Sequence, residues 1–139
     1  MVDRAIAATR IAAIRDAVAR IRQVMPADAA TFAADRSTRE IVALNLVVAI
    51  QDMIDLAAHR IADAGLIVPG THRDLFAKLA DERVIPAELA ARLAAASGMR
   101  NLIVHQYGTV DWLRLFDAAS AELGDLEAYC AALAPTLGA

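Results

Sequence analysis

Apolar side chains recur at every third or fourth position along almost the whole chain, and this spacing limits the possible folds more than any other feature. The first stretch shows it clearly, with Ile11, Ile14, Val18 and Ile21 on one helical face and arginines mostly off that face. No segment alternates apolar and polar residues with the period of two that is typical of a strand. The sequence therefore predicts an all-α bundle of about five helices.

Proline, glycine and capping residues predict where the first helices begin and end. The first helix is expected from Val2 to Val24, because Pro26 stops it and a short polar connector follows. Ser37-x-x-Glu40 has the pattern of a capping box and predicts the start of a long second helix. Gly65 is placed to end that helix in the left-handed conformation.

The second half of the chain carries the signals of three more helices. Thr71 and Asp74 resemble the N-terminal cap of a short third helix. Pro86 suits the first turn of a fourth, in which Ser97-Gly98 allows a bend or break and Gly108 marks the end. Asp111 can cap the last helix, which begins near Trp112.

Length and composition predict one domain spanning residues 1–139. The chain is long enough to bury a core without disulfides or metals, and Cys130, its only cysteine, excludes an intrachain disulfide. No apolar run approaches the roughly 20 uncharged residues of a membrane span, and arginines interrupt the N-terminus as they would not in a signal peptide. A soluble, cytoplasmic protein is expected. The net charge of −3 excludes a general basic field, so nucleic acid binding would need a local positive cluster.

The segment RNLIVHQY departs from this aliphatic pattern, because it carries Arg100, His105 and Tyr107 within eight residues. On a straight helix Arg100 and His105 lie about 140° apart, and His105 and Tyr107 about 200° apart. For the three to act together, either the helix ends near His105 or a second protomer brings its own copies to a two-fold axis. Alternatively, each residue has only a packing or surface role.

With these spacings, GMRNLIVHQYGTVD resembles the Arg-x4-His-x-Tyr motif of HEPN domains, and specifically the HepT-like branch. The resemblance extends to the order of helices over nearly the full length, including AIQDMIDLAAHRI in the second helix. It implies a HEPN-like helical domain. A two-fold homodimer would also cover part of the wide apolar faces of the second and last helices, although packing within one chain explains them nearly as well.

The resemblance implies the toxin of a toxin–antitoxin module, a metal-independent endoribonuclease without cofactor that cleaves tRNA or mRNA. Its partner would be an MntA-like nucleotidyltransferase antitoxin that attaches AMP to Tyr107. Arg100 would stabilise charge on the phosphate, and His105, with an ordinary pKa of about 6.5, would act as general acid or base. Asn101 is either a supporting residue at the phosphate or a helix-terminal hydrogen-bonding residue.

Other polar residues have weaker claims to a function. His59 and His72 do not have the spacing of metal ligands, and surface or capping roles are expected. Asp52 and Asp55, next to Gln51, are expected to face solvent or pair with an arginine. A further set of basic residues offers a local rim for RNA, with an ion-paired surface as the default interpretation: Arg73, Lys78, Arg83, Arg92 and Arg114.

Two other functions compete with the nuclease. A non-catalytic helical dimer could bind nucleotide or scaffold a partner nucleotidyltransferase, and a third possibility is a dimer that only assembles. The presence of Arg100, His105 and Tyr107 together favours the nuclease, since a purely structural partner does not need all three.

Overall fold

The computed structural model of the protein describes residues 4–137, and this part of the chain is helical throughout, with no strand. The helices are α1 (Arg4–Val24), α2 (Ala29–Ala34), α3 (Arg36–Asp63), α4 (His72–Asp81), α5 (Ala87–His105) and α6 (Trp112–Leu137), with a 3₁₀ turn at Tyr107–Thr109 between the last two. The predicted all-α class is confirmed, with six α-helices in place of five. The expected start at Val2 lies outside the described residues.

The additional helix is α2, in the segment expected to be a polar connector. Asp28 caps it by accepting a hydrogen bond from the Thr31 N–H at 2.8 Å. Phe32 is fully buried and its ring lies 5.6 Å from that of Phe116 on α6. Six residues with one buried side chain give no periodicity to recognise, and tertiary burial of Phe32 stabilises the helix instead.

The start of α3 also differs from the expectation of a Ser37–Glu40 capping box. Asp35 is the capping residue, with extended backbone, and it accepts from the Thr38 N–H at 3.3 Å. Glu40 does not reach back to the helix start; it accepts from the Arg36 Nε at 2.7 Å. The predicted capping box was wrong because Asp35, two residues before Ser37, supplies an equally good capping oxygen.

Two other predicted boundaries are confirmed. Gly65 has a positive φ of 77°, and the following Leu66 N–H donates to the Ile61 carbonyl at 3.2 Å, closing the end of α3. Thr71 caps α4 by accepting from the Asp74 N–H at 3.1 Å.

Helix α5 is continuous from Ala87 to His105, so it does not break at Ser97-Gly98. The Ser97 hydroxyl donates to the Leu93 carbonyl at 3.1 Å and needs no break in the helix. The helix ends three residues before Gly108, which lies inside the 3₁₀ turn. Pro86 directly precedes the helix, one position outside the predicted first turn.

The core surrounds α3, which packs against each of the other five helices. Tyr129 of α6 is fully buried, and its hydroxyl donates to the Met53 carbonyl of α3 at 2.8 Å. Among the described residues α3 is the one helix long and apolar enough to cross a membrane, and half of its most apolar stretch is buried inside the bundle. A core helix meets the same length and composition criterion.

Glu122 is a buried carboxyl group on α6, only 9% exposed, and its Oε2 atom has no hydrogen-bond partner. Burial, and to a smaller extent the charge of Asp125, raise the pKa of Glu122 from 4.5 to about 7. The folded protein therefore holds this proton more tightly than the unfolded chain does.

We predict that Tyr129→Phe lowers the free energy of unfolding by about 1–2 kcal/mol, because it removes one buried hydrogen bond from α6 to α3. Urea denaturation followed by circular dichroism measures the change. Tyr107→Phe is the matched control, since Tyr107 is 43% exposed, and it should change stability by less than about 0.5 kcal/mol. Equal unfolding midpoints for the Tyr129 variant and wild type would contradict the prediction.

We also predict that Glu122 lowers stability as the pH rises. Its folded-state pKa lies above the unfolded value, so its contribution is fully present below pH 4.5 and is lost as the pH passes through about 7. The loss is at most about 3 kcal/mol. Glu122→Gln cannot ionise, so urea titrations across this range should show a smaller decline for the variant. Parallel declines in both proteins would refute the assignment.

Candidate functional site

The motif residues lie where α5 ends and the chain turns toward α6. His105 is the last residue of α5, and the Gln106 N–H closes that end by donating to the Leu102 carbonyl at 2.9 Å. Tyr107 opens the 3₁₀ turn, and its side chain is 43% exposed. The helix thus ends at His105, one of the two arrangements that the sequence required for the three residues to act together.

Arg100 lies on a different side of α5 from His105. Its side chain is half-buried, and a terminal guanidinium nitrogen donates to the Asn101 Oδ1 at 2.9 Å. The Nε atom is buried and has no hydrogen-bond partner. Asn101 therefore holds the guanidinium group in place, and Arg100 retains donor capacity for an anion.

Arg100 and His105 are not joined by a hydrogen bond within the described chain, and His105 is exposed. A cavity of about 530 Å³ lies between α1 and the end of α6 and is not lined by the motif. One protomer presents His105 and Tyr107 on its surface.

Four of the chain's six aromatic residues gather beside the motif. The Tyr107 ring meets the Trp112 ring edge to face, with centroids 5.4 Å apart. Phe32 of α2 packs against Trp112 at 6.2 Å and against Phe116 at 5.6 Å. The missed helix α2 thus supports the aromatic surface on which Tyr107 rests.

Two arginines of the first turns of α3 adjoin the same surface. The Arg39 guanidinium carbon lies 5.1 Å from the centre of the Trp112 ring, a cation–π contact, and Arg39 also donates to the Ala33 carbonyl. Arg36 is exposed; the hydrogen bond and charge of Glu40 raise its pKa, and the Tyr107 side chain adds a smaller effect of the same sign. Positive charge therefore lies beside the Tyr107 side chain.

Sequence analysis missed Arg36 and Arg39 as site residues. Their spacing of three places them on one side of a helix start, but an arginine pair of this kind is common on solvated surfaces. Their position beside Tyr107 depends on α2, which was not predicted. Proximity between the start of α3 and the end of α5 is a tertiary feature without a local signal.

The remaining candidates behave mostly as surface residues. Asp52 and Asp55 both accept from an Arg10 terminal nitrogen, at 3.0 and 3.1 Å, which confirms the expected pairing with an arginine. Arg92, one of the basic residues considered as a rim for RNA, forms a salt bridge with Asp125 at 3.0 Å. His59 is exposed on α3. No three His, Cys, Asp or Glu side chains between residues 4 and 137 are grouped to hold a metal ion.

Cys130 is buried, as expected for a core residue. Burial raises the pKa of its thiol to about 11, against a smaller opposite effect of the Arg15 charge. The thiol is therefore neutral at physiological pH and a poor nucleophile.

The chain matches a family model described as Ribonuclease HepT-like over residues 14–133. It is 31% identical over 120 residues to the mRNA nuclease HepT of Shewanella oneidensis, covering 86% of this chain and 90% of that protein.

Solved structures with the same fold include a tri-AMPylated HEPN toxin of Shewanella oneidensis in complex with an MNT antitoxin. It has a TM-score of 0.84 and 30% identity, covering 96% of this chain and 98% of the other. The cytosolic protein YutE of Bacillus subtilis, of unknown function, has a TM-score of 0.85, with 98% and 91% coverage. At 18% identity, YutE shares the fold only.

Proposed function

The chain belongs to the HepT-like ribonuclease family, and on that premise we propose that it is the toxin of a toxin–antitoxin module, a cytoplasmic ribonuclease silenced by a nucleotidyltransferase partner. The observation that supports the proposal is that Arg100, His105 and Tyr107 all lie in the last turns of α5 and the turn that follows, with His105 and Tyr107 exposed. The relatives support it, since one is an mRNA nuclease and another is a toxin in complex with an MNT antitoxin.

The chemistry follows from these side chains. The RNA 2′-hydroxyl attacks the adjacent phosphorus, the bond to the 5′-oxygen breaks, and a 2′,3′-cyclic phosphate and a 5′-hydroxyl result. His105 takes the proton from the 2′-hydroxyl or gives one to the leaving oxygen. Arg100, oriented by Asn101, stabilises the negative charge that develops on the phosphate oxygens. These groups require no metal ion, and we propose a metal-independent reaction.

We further propose that the active form is a two-fold homodimer. In one protomer Arg100 and His105 lie on different sides of α5 and on an open surface. Three apolar side chains around the motif are also exposed, namely Leu102, Val104 and Leu113. A second copy packed there would cover these side chains and place two copies of each polar residue around one cleft.

Tyr107 is the proposed site of silencing. Its exposed hydroxyl can attack the α-phosphorus of ATP held by the partner, with loss of the phenolic proton and release of pyrophosphate, which leaves AMP in a phosphodiester bond. The added group is bulky and negative, and it lies two residues from His105. Steric blockage and like-charge repulsion both oppose RNA binding.

We predict that His105→Ala and Arg100→Ala each reduce cleavage of RNA by at least about 100-fold, because they remove proton transfer and charge stabilisation. The measurement is cleavage of total tRNA and of an mRNA in excess EDTA, with AMP-free protein checked by mass. His59→Ala, at an exposed histidine of α3, is the matched control and should cleave like wild type. Inactivity of folded, AMP-free wild type would favour a non-catalytic partner of the nucleotidyltransferase.

We predict that Tyr107→Phe stays active in the presence of the partner and ATP, whereas wild type gains the mass of AMP and loses activity. The phenylalanine lacks the attacking oxygen but keeps the ring on Trp112. Intact-mass spectrometry and RNA cleavage are measured on the same samples. AMP addition to the Phe variant at the wild-type level would place the modification on another residue.

A further inference from the structure

Arg36 and Arg39 have no part in the reaction proposed above, yet they adjoin the residue proposed to be modified. Arg39 lies over Trp112, and Trp112 in turn contacts the Tyr107 ring. Arg36 is one turn earlier on the same side of α3 as Arg39. The first turns of α3, the start of α6 and the 3₁₀ turn therefore meet at one surface.

We propose that Arg36 and Arg39, together with the Trp112 ring, form a binding site for the AMP group carried by Tyr107. The inference rests on the proposed function, since it needs Tyr107 to accept AMP. The ligand class is a nucleoside 5′-phosphate in diester linkage to the tyrosine. The site holds the modified side chain against the protein beside the motif, so that AMP does not move freely in solvent.

The free donors of the two arginines suit a phosphodiester. Arg36 donates through its Nε to Glu40, which leaves the two terminal nitrogens of this exposed side chain available. Arg39 donates through one terminal nitrogen to the Ala33 carbonyl, and its Nε is enclosed by protein, so its contact with a phosphate has to come from the other terminal nitrogen. A guanidinium group pairs with phosphate oxygens through two parallel hydrogen bonds, which makes arginine well suited to a tethered phosphate.

The nearby carboxylates keep their negative charge while they accept hydrogen bonds, so they partly oppose the binding of a phosphate. Asp35 accepts the Thr38 N–H and the Thr38 hydroxyl, and Asp111 accepts the Leu113 N–H. Glu40 is bonded to Arg36 and is the direct competitor of a phosphate for that side chain. Removal of the Glu40 charge should therefore strengthen binding.

Tethering makes a weak site effective. A group attached through a short linker has an effective concentration in the millimolar range, so a millimolar affinity for free AMP is enough to keep the attached AMP on the protein much of the time. Two charge-assisted contacts with arginine readily supply an affinity of that order.

The first test titrates the unmodified protein with free AMP and follows the indole N–H resonance of Trp112, the only tryptophan. We expect a shift with millimolar affinity that adenosine, lacking phosphate, does not reproduce. Arg36→Gln and Arg39→Lys should each weaken AMP binding by about tenfold, and Glu40→Gln should tighten it. Arg36 is exposed, so its variant should fold even if the Arg39 variant does not.

Arg4→Gln is the matched control, because it removes the same charge from an exposed position of α1. Arg10, further along α1, pairs with Asp52 and Asp55, which lie about 24 and about 29 Å along α3 from Arg36. The control should bind AMP like wild type. Equal AMP affinity in wild type and the Arg36 variant, or equal binding of adenosine and AMP, would overturn the site.

The second test uses protein carrying AMP on Tyr107, prepared with the nucleotidyltransferase partner and ATP. We expect its indole resonance to lie at the AMP-bound position and added free AMP to cause no further shift. Undiminished binding of free AMP would overturn the assignment, because the site would then serve another phosphate, such as that of RNA. If the partner adds no AMP to Tyr107, both the proposed silencing and the tethered AMP are refuted. If free AMP does not bind the unmodified protein, only the proposed binding site is refuted.

Discussion

Burial of one wide face of α3 is the constraint on which the rest of the structure depends. Its buried side chains face α1, α2, α4, α5 and α6, and all five helices pack against it. A helix with apolar residues around most of its circumference is stable in water only when neighbours cover it, and their apolar faces need α3 in return. The hydrogen bond from the Tyr129 hydroxyl to the Met53 carbonyl fixes where α6 lies along α3, which apolar packing alone does not do. The helix that resembles a membrane span by composition is thus the centre of the bundle.

The same arrangement determines what surrounds the motif. Because α3 is long, its first turns extend beyond the core and bring Arg36 and Arg39 to the surface where α5 ends and α6 begins. Phe32 anchors α2 against α6 at that end and supports Trp112, on which Tyr107 rests. The two arginines of α3 and the motif residues therefore lie toward one surface of the molecule, although the chain as a whole carries a net charge of −3. Arg36 and Arg39 supply local positive charge there, which Glu40 offsets in part through its salt bridge with Arg36.

The sequence predicts the parts of this structure that depend on local physics. Gly65, Thr71 and Asp111 each act at the helix boundary expected of them, since left-handed glycine and capping oxygens work within a few residues. The motif could be recognised because its spacing is local as well.

Helix α2 was not predicted because one buried phenylalanine stabilises it through tertiary contact. The cap of α3 was misplaced because Asp35 and Ser37 are both suitable capping residues, and local sequence does not decide between them. The placement of Arg39 on Trp112 follows from the packing of distant segments.

On the proposed function, the position of Tyr107 explains how one residue can control a site without taking part in its chemistry. It stands two residues after His105, in a turn outside the helix, so its ring rests on Trp112 while the histidine remains on α5. A group added to its oxygen extends from a fixed ring and not from a flexible chain, because the aromatic contact restricts the side chain. A phosphate there is drawn toward positive charge, which Arg36 and Arg39 of α3 supply. Held by α3, the phosphate would occupy the approach to the motif and repel the RNA backbone, which has the same charge. Silencing then depends on competition between two phosphates for one positive surface, an effect that screening by salt weakens for both.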